Sequence, residues 1–131
     1  MRDSKGFTVI ELLIVVVIIG ILAAIAIPKF SATRERAYFA AMRSDLRNLA
    51  AQQEIYYADN YTFSDIFADL AFVSSDGVNV TPTSVSSSGW AASATHSALG
   101  AAEGCAIFYG TATAPSSPIS PPEPGELLCT R

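Results

Sequence analysis

Few residues in this chain could do chemistry, and the first to consider is a carboxylate in an apolar setting. Glu11 lies in a run from Phe7 to Ile27 that is otherwise interrupted only by Thr8. An acid carried into a bilayer costs several kcal/mol unless it finds a cation, and by default it marks a functional position. A chain cut just before Phe7 would supply that cation as its new α-amino group. The alternative is a Glu11 that snorkels to the membrane surface, which its closeness to Phe7 permits. Other candidates are sparse. His96 is the single histidine, without an obvious partner, and reads as a surface residue. Asp59, Asp65, Asp69 and Asp76 are spread too widely for a calcium loop. The sequence contains no phosphate-binding glycine loop, nucleophile elbow or metal-ligand cluster. The expectation is a non-enzyme without cofactor or metal.

Cys105 and Cys129, with 23 residues between them, belong to neither a C-x-x-C nor a C-x-x-C-H pattern. That argues against zinc and covalent haem. In a polar segment beyond a membrane span the pair reads as a disulfide formed outside the cytosol. Closing such a loop would constrain the unfolded chain by roughly 3 kcal/mol. The alternative is two free thiols.

The elements that must carry these residues begin with the apolar run. Of 131 residues 50% are hydrophobic and 15% charged, against about a quarter charged in ordinary soluble domains. As a helix, Phe7 to Ile27 would rise about 31 Å, close to the hydrocarbon thickness. A basic start (Arg2, Lys5) and an apolar stretch also suit a secretory signal, but no small-residue cleavage site with a polar exit closes the run. Roughly a hundred residues remain, enough for one small core. Bases lie on both sides of the span, so charge counting does not orient it. The cysteines place the C-terminal part in an oxidising space.

Net charge is −4, unevenly spread. Lys29, Arg34, Arg36, Arg43 and Arg47 cluster between 29 and 48, whereas from Glu54 onward eight acids face the single base Arg131. An acidic folded part argues against nucleic-acid binding, which needs a concentrated basic face.

One long helix is expected from Phe7 to about Ala58, roughly 78 Å if unbroken. Tyr38, Met42, Leu46, Leu49, Gln53 and Tyr56 recur every three or four positions, a stripe for a sheet to cover. Pro28 removes one backbone hydrogen bond and crowds the carbonyl of Ala24, at about 3 kcal/mol. With Gly20 upstream and β-branched residues between, this stretch has weak intrinsic helicity. Arg43 and Arg47, four apart, are mildly repulsive; they either meet acidic surface on another subunit or are simply solvated. Phe63 to Val73 reads as a short helix or packed loop. Gly77–Thr81, Ser84–Ser86, Gly89–Thr95 and Cys105–Gly110 alternate like strands, three or four in a meander. Ala114 to Gly125, with five prolines, reads as an extended loop.

Lys5-Gly6-Phe7-Thr8-Val9-Ile10-Glu11-Leu12-Leu13, the apolar run and Ala26-Ile27-Pro28 resemble the class III signal of type IV pilins and pseudopilins. Phe30-Ser31-Ala32 and Ser44-Asp45-Leu46-Arg47-Asn48-Leu49 look like the pilins of metal-reducing bacteria. Tyr56-Tyr57-Ala58-Asp59-Asn60-Tyr61-Thr62 resembles the family's signature at the end of its long helix. Together the motifs cover about half the chain. The resemblance implies the α+β pilin fold: a long N-terminal helix, its hydrophobic half protruding and its amphipathic half packed on a small antiparallel sheet. A C-terminal loop would be bounded by Cys105 and Cys129. The implied parts are a leader at 1–6, a transmembrane and filament-core helix at 7–28, an amphipathic helix at 29–60 and a globular sheet domain at 61–131.

The resemblance further implies that a prepilin peptidase cuts between Gly6 and Phe7 and methylates the Phe7 amine. Glu11 would pair with the amine of a neighbouring subunit, and the backbone between Gly20 and Pro28 would unwind on assembly; the alternative for this stretch is a simple kink. The function implied is a type IVa-like major pilin, held in the inner membrane and then built into a helical homo-oligomeric filament for adhesion, twitching motility or DNA uptake. A motor ATPase and platform protein are implied as partners, and the Ser/Thr-rich 81–97 stretch as a place for O-linked glycans. Two rivals stand beside it. One is a pseudopilin of a type II secretion system, disfavoured by the cysteine-bounded, Pro-rich tail. The other is an electron-conducting filament, prompted by aromatics such as Phe30, Tyr38, Phe39, Tyr56, Tyr57 and Tyr61.

Overall fold

A computed structural model describes residues 4–131, so the expected leader's residues 1–3 lie outside the described part. A helix, α1, runs Val9–Asn60 over 52 residues and passes through Pro28 without interruption. It ends where Asn60 Nδ2 donates to the Tyr56 carbonyl and Tyr61, at φ 56°, donates its N–H to Tyr57 O at 2.8 Å. That left-handed residue closes the helix as a glycine commonly does. The chain divides into two compact units, one through Arg34 and one from Glu35 to Arg131.

The second unit holds the core. Along α1 the buried residues are Phe39, Met42, Asp45, Leu46, Leu49 and Gln53. The expected stripe is confirmed at Met42, Leu46, Leu49 and Gln53, but Tyr38 and Tyr56 are only half-buried at its edges. Phe39 takes the inward place because 39-42-46-49-53 keeps the alternating steps of three and four that hold one helix face. Tyr38 instead stacks on His96, ring centroids 4.1 Å apart.

This face joins a core with a four-stranded antiparallel sheet in meander order: β1 Val78–Val85, β2 Gly89–His96, β3 Gly104–Gly110 and β4 Leu128–Cys129. Trp90, Ala92 and Ala94 of β2 and Cys105 and Ile107 of β3 alternate into it. The segments Gly77–Thr81 and Ser84–Ser86, read as separate strands, form one strand with a register shift between Pro82 and Ser84. Pro82 is tolerated because β1 is an edge strand, where a missing N–H breaks no inner ladder. Leu128–Cys129 did not read as a strand; two residues are too short to show alternation, and Cys129 pairs in register with Cys105.

Phe63 to Val73 is a packed loop with a hydrogen-bonded turn, not a helix. Phe63, Leu70 and Phe72 are buried, and two polar side chains of α1 grip the loop's backbone. Gln53 donates to Ser64 O at 2.6 Å and accepts from Ser64 N at 3.1 Å. Buried Asp45 accepts from both Ser75 N and Ser75 Oγ at 2.7 Å. The two Asp45 bonds are charge-assisted, among the stronger kind. Asp45→Ala removes both charge-assisted bonds to Ser75, and we expect a loss of about 2 kcal/mol. Chemical denaturation of the detergent-solubilised chain, followed by Trp90 fluorescence, measures it; an unchanged midpoint contradicts the anchor.

Candidate functional site

The first turn of α1 is built by its own sequence. Glu11 N donates to Thr8 Oγ1 at 3.2 Å, and Thr8 N donates to Glu11 Oε2 at 2.8 Å. Thr8-Val9-Ile10-Glu11 is therefore a capping box, each end satisfying an orphan donor of the other. The Thr8 hydroxyl also donates to Glu11 Oε2 at 3.0 Å. Glu11 thus sits at the positive end of the helix, where a carboxylate is favoured. Thr8 was not singled out from sequence, although the T-x-x-E spacing before an apolar run is the signal that finds it.

Upstream, Gly6 and Phe7 are non-helical and exposed, Phe7 at 91%. A Cβ added at Gly6 meets nothing within 4 Å, so no packing among the described residues demands glycine there. The same holds at Gly20. Gly6 and Phe7 form an open peptide joined to a capped helix, a geometry an external enzyme can reach.

Downstream, every Val, Leu and Ile from Val9 to Ile27 is at least 51% exposed. By length and composition this is the one helix among the described residues able to cross a membrane. Gly6, Phe7, Glu11, Gly20 and Pro28 all fall in the first unit. The second unit carries the other expected pair, Cys105 and Cys129, joined as a disulfide between β3 and β4.

Other polar candidates resolve as follows. His96 is half-buried, and its Nδ1 accepts from Ala98 N at 3.0 Å. Arg43 is neither fully solvated nor free, because its guanidinium donates to the Arg131 carbonyl at 2.8 Å. Arg131 in turn forms ion pairs with Glu35 at 2.7 Å and with Glu103. The sequence offered no signal for that cluster, which depends on tertiary approach. Among the described residues no three His, Cys, Asp or Glu side chains gather into a metal site.

Residues 1–27 match the prokaryotic N-terminal methylation motif. The major component of the type IV wide pilus of Thermus thermophilus, PilA4, is 43% identical over 94 residues, 72% of this chain and 70% of that protein. The type IV major pilin PilA of Myxococcus xanthus is 39% identical over 74 residues, 56% of this chain and 34% of that one. The type II secretion system core protein G of Pseudomonas aeruginosa is 37% identical over 62 residues, 47% of this chain and 44% of that one. The chain thus spans less than half the length of the last two.

Thr8→Val removes one half of the capping box while keeping shape. We expect the first turn to lose about 1 kcal/mol, read as roughly fivefold faster amide exchange at Glu11 and Leu12 in micelles. Unchanged exchange there contradicts the cap.

Proposed function

The chain belongs to the type IV pilin family, and from that premise we propose that it is cleaved between Gly6 and Phe7, N-methylated at Phe7 and packed into a helical surface filament. The observation that carries this reading is the helix surface from Val9 to Ile27, apolar and exposed on every side. A soluble chain could not leave so large a contiguous apolar surface in water. A membrane covers it before assembly, and neighbouring copies of the same helix cover it afterwards.

Cleavage supplies the charge that Glu11 lacks. In the apolar filament interior an acid and an amine are tolerable only together, and removing one leaves the other buried and unpaired. The Gly20–Pro28 stretch gives the helix a place to yield. In lipid its backbone groups find no other partners, so it stays helical there. Packed among neighbouring subunits it can unwind and lengthen the chain. The sheet domain, closed by Cys105–Cys129, then decorates the filament outside the cell.

The pilus reading is favoured over the secretion pseudopilin because the likeness to the Thermus pilus component runs across 94 residues, past the helix and into the sheet, whereas that to core protein G covers 62. A prepilin peptidase, a motor ATPase and an inner-membrane platform are the partners this reading requires. Adhesion, twitching motility and DNA uptake are the uses it proposes, each scored by its own phenotype in a deletion strain.

The test is assembly by Glu11→Ala in cells lacking the parent gene. We expect processed subunit in the membrane at parental levels and at least a tenfold fall in sheared filaments, because a buried ion pair broken on one side costs about 3–5 kcal/mol per subunit. Normal filament yield contradicts the pairing, and loss of cleavage contradicts the separation of processing from assembly.

A further inference from the structure

Where α1 leaves its apolar run, one side of it changes character within about a turn. Leu22, Ile25, Ala26, Lys29, Phe30 and Thr33 line a shallow groove there. Steps of three and four link them, so they share one helix face. Ala26 is partly covered and forms the floor, because its methyl group is shorter than its neighbours. Leu22, Ile25 and Phe30 stand 62%, 65% and 68% exposed as walls. Lys29 occupies the far rim, two residues beyond Ile27, where the apolar run ends.

The charge at that rim has no counter-charge nearby in the sequence. From Leu12 to Arg34 the chain holds Lys29 and Arg34 and no acid. The ion pairs among the described residues are those of Arg131, and neither Lys29 nor Arg34 enters them. The Thr33 hydroxyl donates to the Lys29 carbonyl at 3.0 Å, which leaves the Lys29 ammonium as the donor of the groove. Arg34 lies five positions further on, about 140° around the helix, and is not part of the groove.

We propose that this groove holds one anionic phospholipid while the chain is in the membrane, its phosphate at Lys29 and one acyl chain along Ala26 towards Leu22. Leu22 and Lys29 are seven residues apart, about 10 Å along the axis, within the roughly 15 Å of hydrocarbon in one leaflet. A lysine stem lies along apolar surface while its ammonium reaches the interface, so Lys29 meets a phosphate without leaving the groove. A zwitterionic headgroup carries its own ammonium beside the phosphate and competes with Lys29, whereas an anionic headgroup does not. A single exposed ion pair is weak, and here the apolar contact of the acyl chain adds to it. The inference rests on the membrane stage of the function proposed above and adds a lipid to it.

The test titrates the full chain in neutral detergent with phosphatidylglycerol, or with phosphatidylcholine of the same acyl chains. Native mass spectrometry counts the bound lipid. One phosphatidylglycerol is expected to bind at least fivefold tighter than phosphatidylcholine. Lys29→Gln is expected to abolish that preference. Ala26→Leu, which fills the floor and keeps every charge, is expected to weaken binding at least threefold. Lys5→Gln and Arg34→Gln, which remove bases outside the groove, are expected to change it less than twofold. Equal thermal unfolding followed by Trp90 fluorescence checks that each variant stays folded. Equal affinity for the two lipids overturns the site, as does an effect of Arg34→Gln as large as that of Lys29→Gln, which marks diffuse attraction. Unchanged binding by Ala26→Leu overturns the groove, and a dimer in place of lipid adducts assigns it to a second copy. Recovery of the chain from cells in the soluble fraction instead removes the membrane stage, and the lipid site with it.

Discussion

The structure is organised by a helix whose apolar side chains face outward in every direction. From Val9 to Ile27 no described residue covers them. The hydrophobic effect, at about 25 cal/mol for each Å² of apolar surface, makes water an untenable surrounding for such a segment. In the proposed function it passes from one apolar environment, lipid, to another, its own copies. The two environments make different demands. Lipid requires every backbone group to be satisfied within the helix, which a continuous α1 through Pro28 largely meets. The filament proposed above would supply other contacts, and there the weakness at Gly20 and Pro28 would let the helix yield.

Glu11 is the one charge in that transfer, and its geometry explains how it is tolerated before a partner arrives. Thr8 donates to it from both backbone and hydroxyl, and both bonds fall on Oε2. A carboxylate has about four lone-pair sites, so the capping box leaves capacity for an ammonium. Capping and pairing are therefore compatible roles of one side chain. The cap also sets where the helix begins, two residues past Phe7, and so leaves the Gly6–Phe7 peptide outside the helix and exposed. The second unit meets the opposite constraint. It is built to stay folded in water, with a compact core, a disulfide and polar side chains that pin its long loop.

How much of this was legible follows from which interactions are local. The apolar run, Glu11, Pro28 and most of the packed stripe are written at fixed spacings along one helix, and spacing survives in a bare sequence. The cap was equally local but lay hidden behind the louder apolar signal. Phe39 displaced Tyr38 because the two lie one step apart and both fall within three or four residues of Met42, and the unbroken three-four steps from 39 to 53 favour Phe39. Gly77–Thr81 and Ser84–Ser86 merged because Pro82, a strand breaker in isolation, sits on an edge. Leu128–Cys129 and the Arg131 ion pairs were illegible, since their partners lie dozens of residues away. Gly6 and Phe7 were singled out by the likeness to pilins alone; among the described residues no contact marks Gly6, where a side chain would find open space.

The most direct measurement of the central claim is the intact mass of subunits in filaments sheared from the producing cell. The account predicts one dominant species beginning at N-methylated Phe7, lighter than the full chain by residues 1–6, with Cys105 and Cys129 oxidised. Subunits that still carry Met1–Gly6 in assembled filaments would contradict it, because the amine that Glu11 requires would then be absent from the filament core.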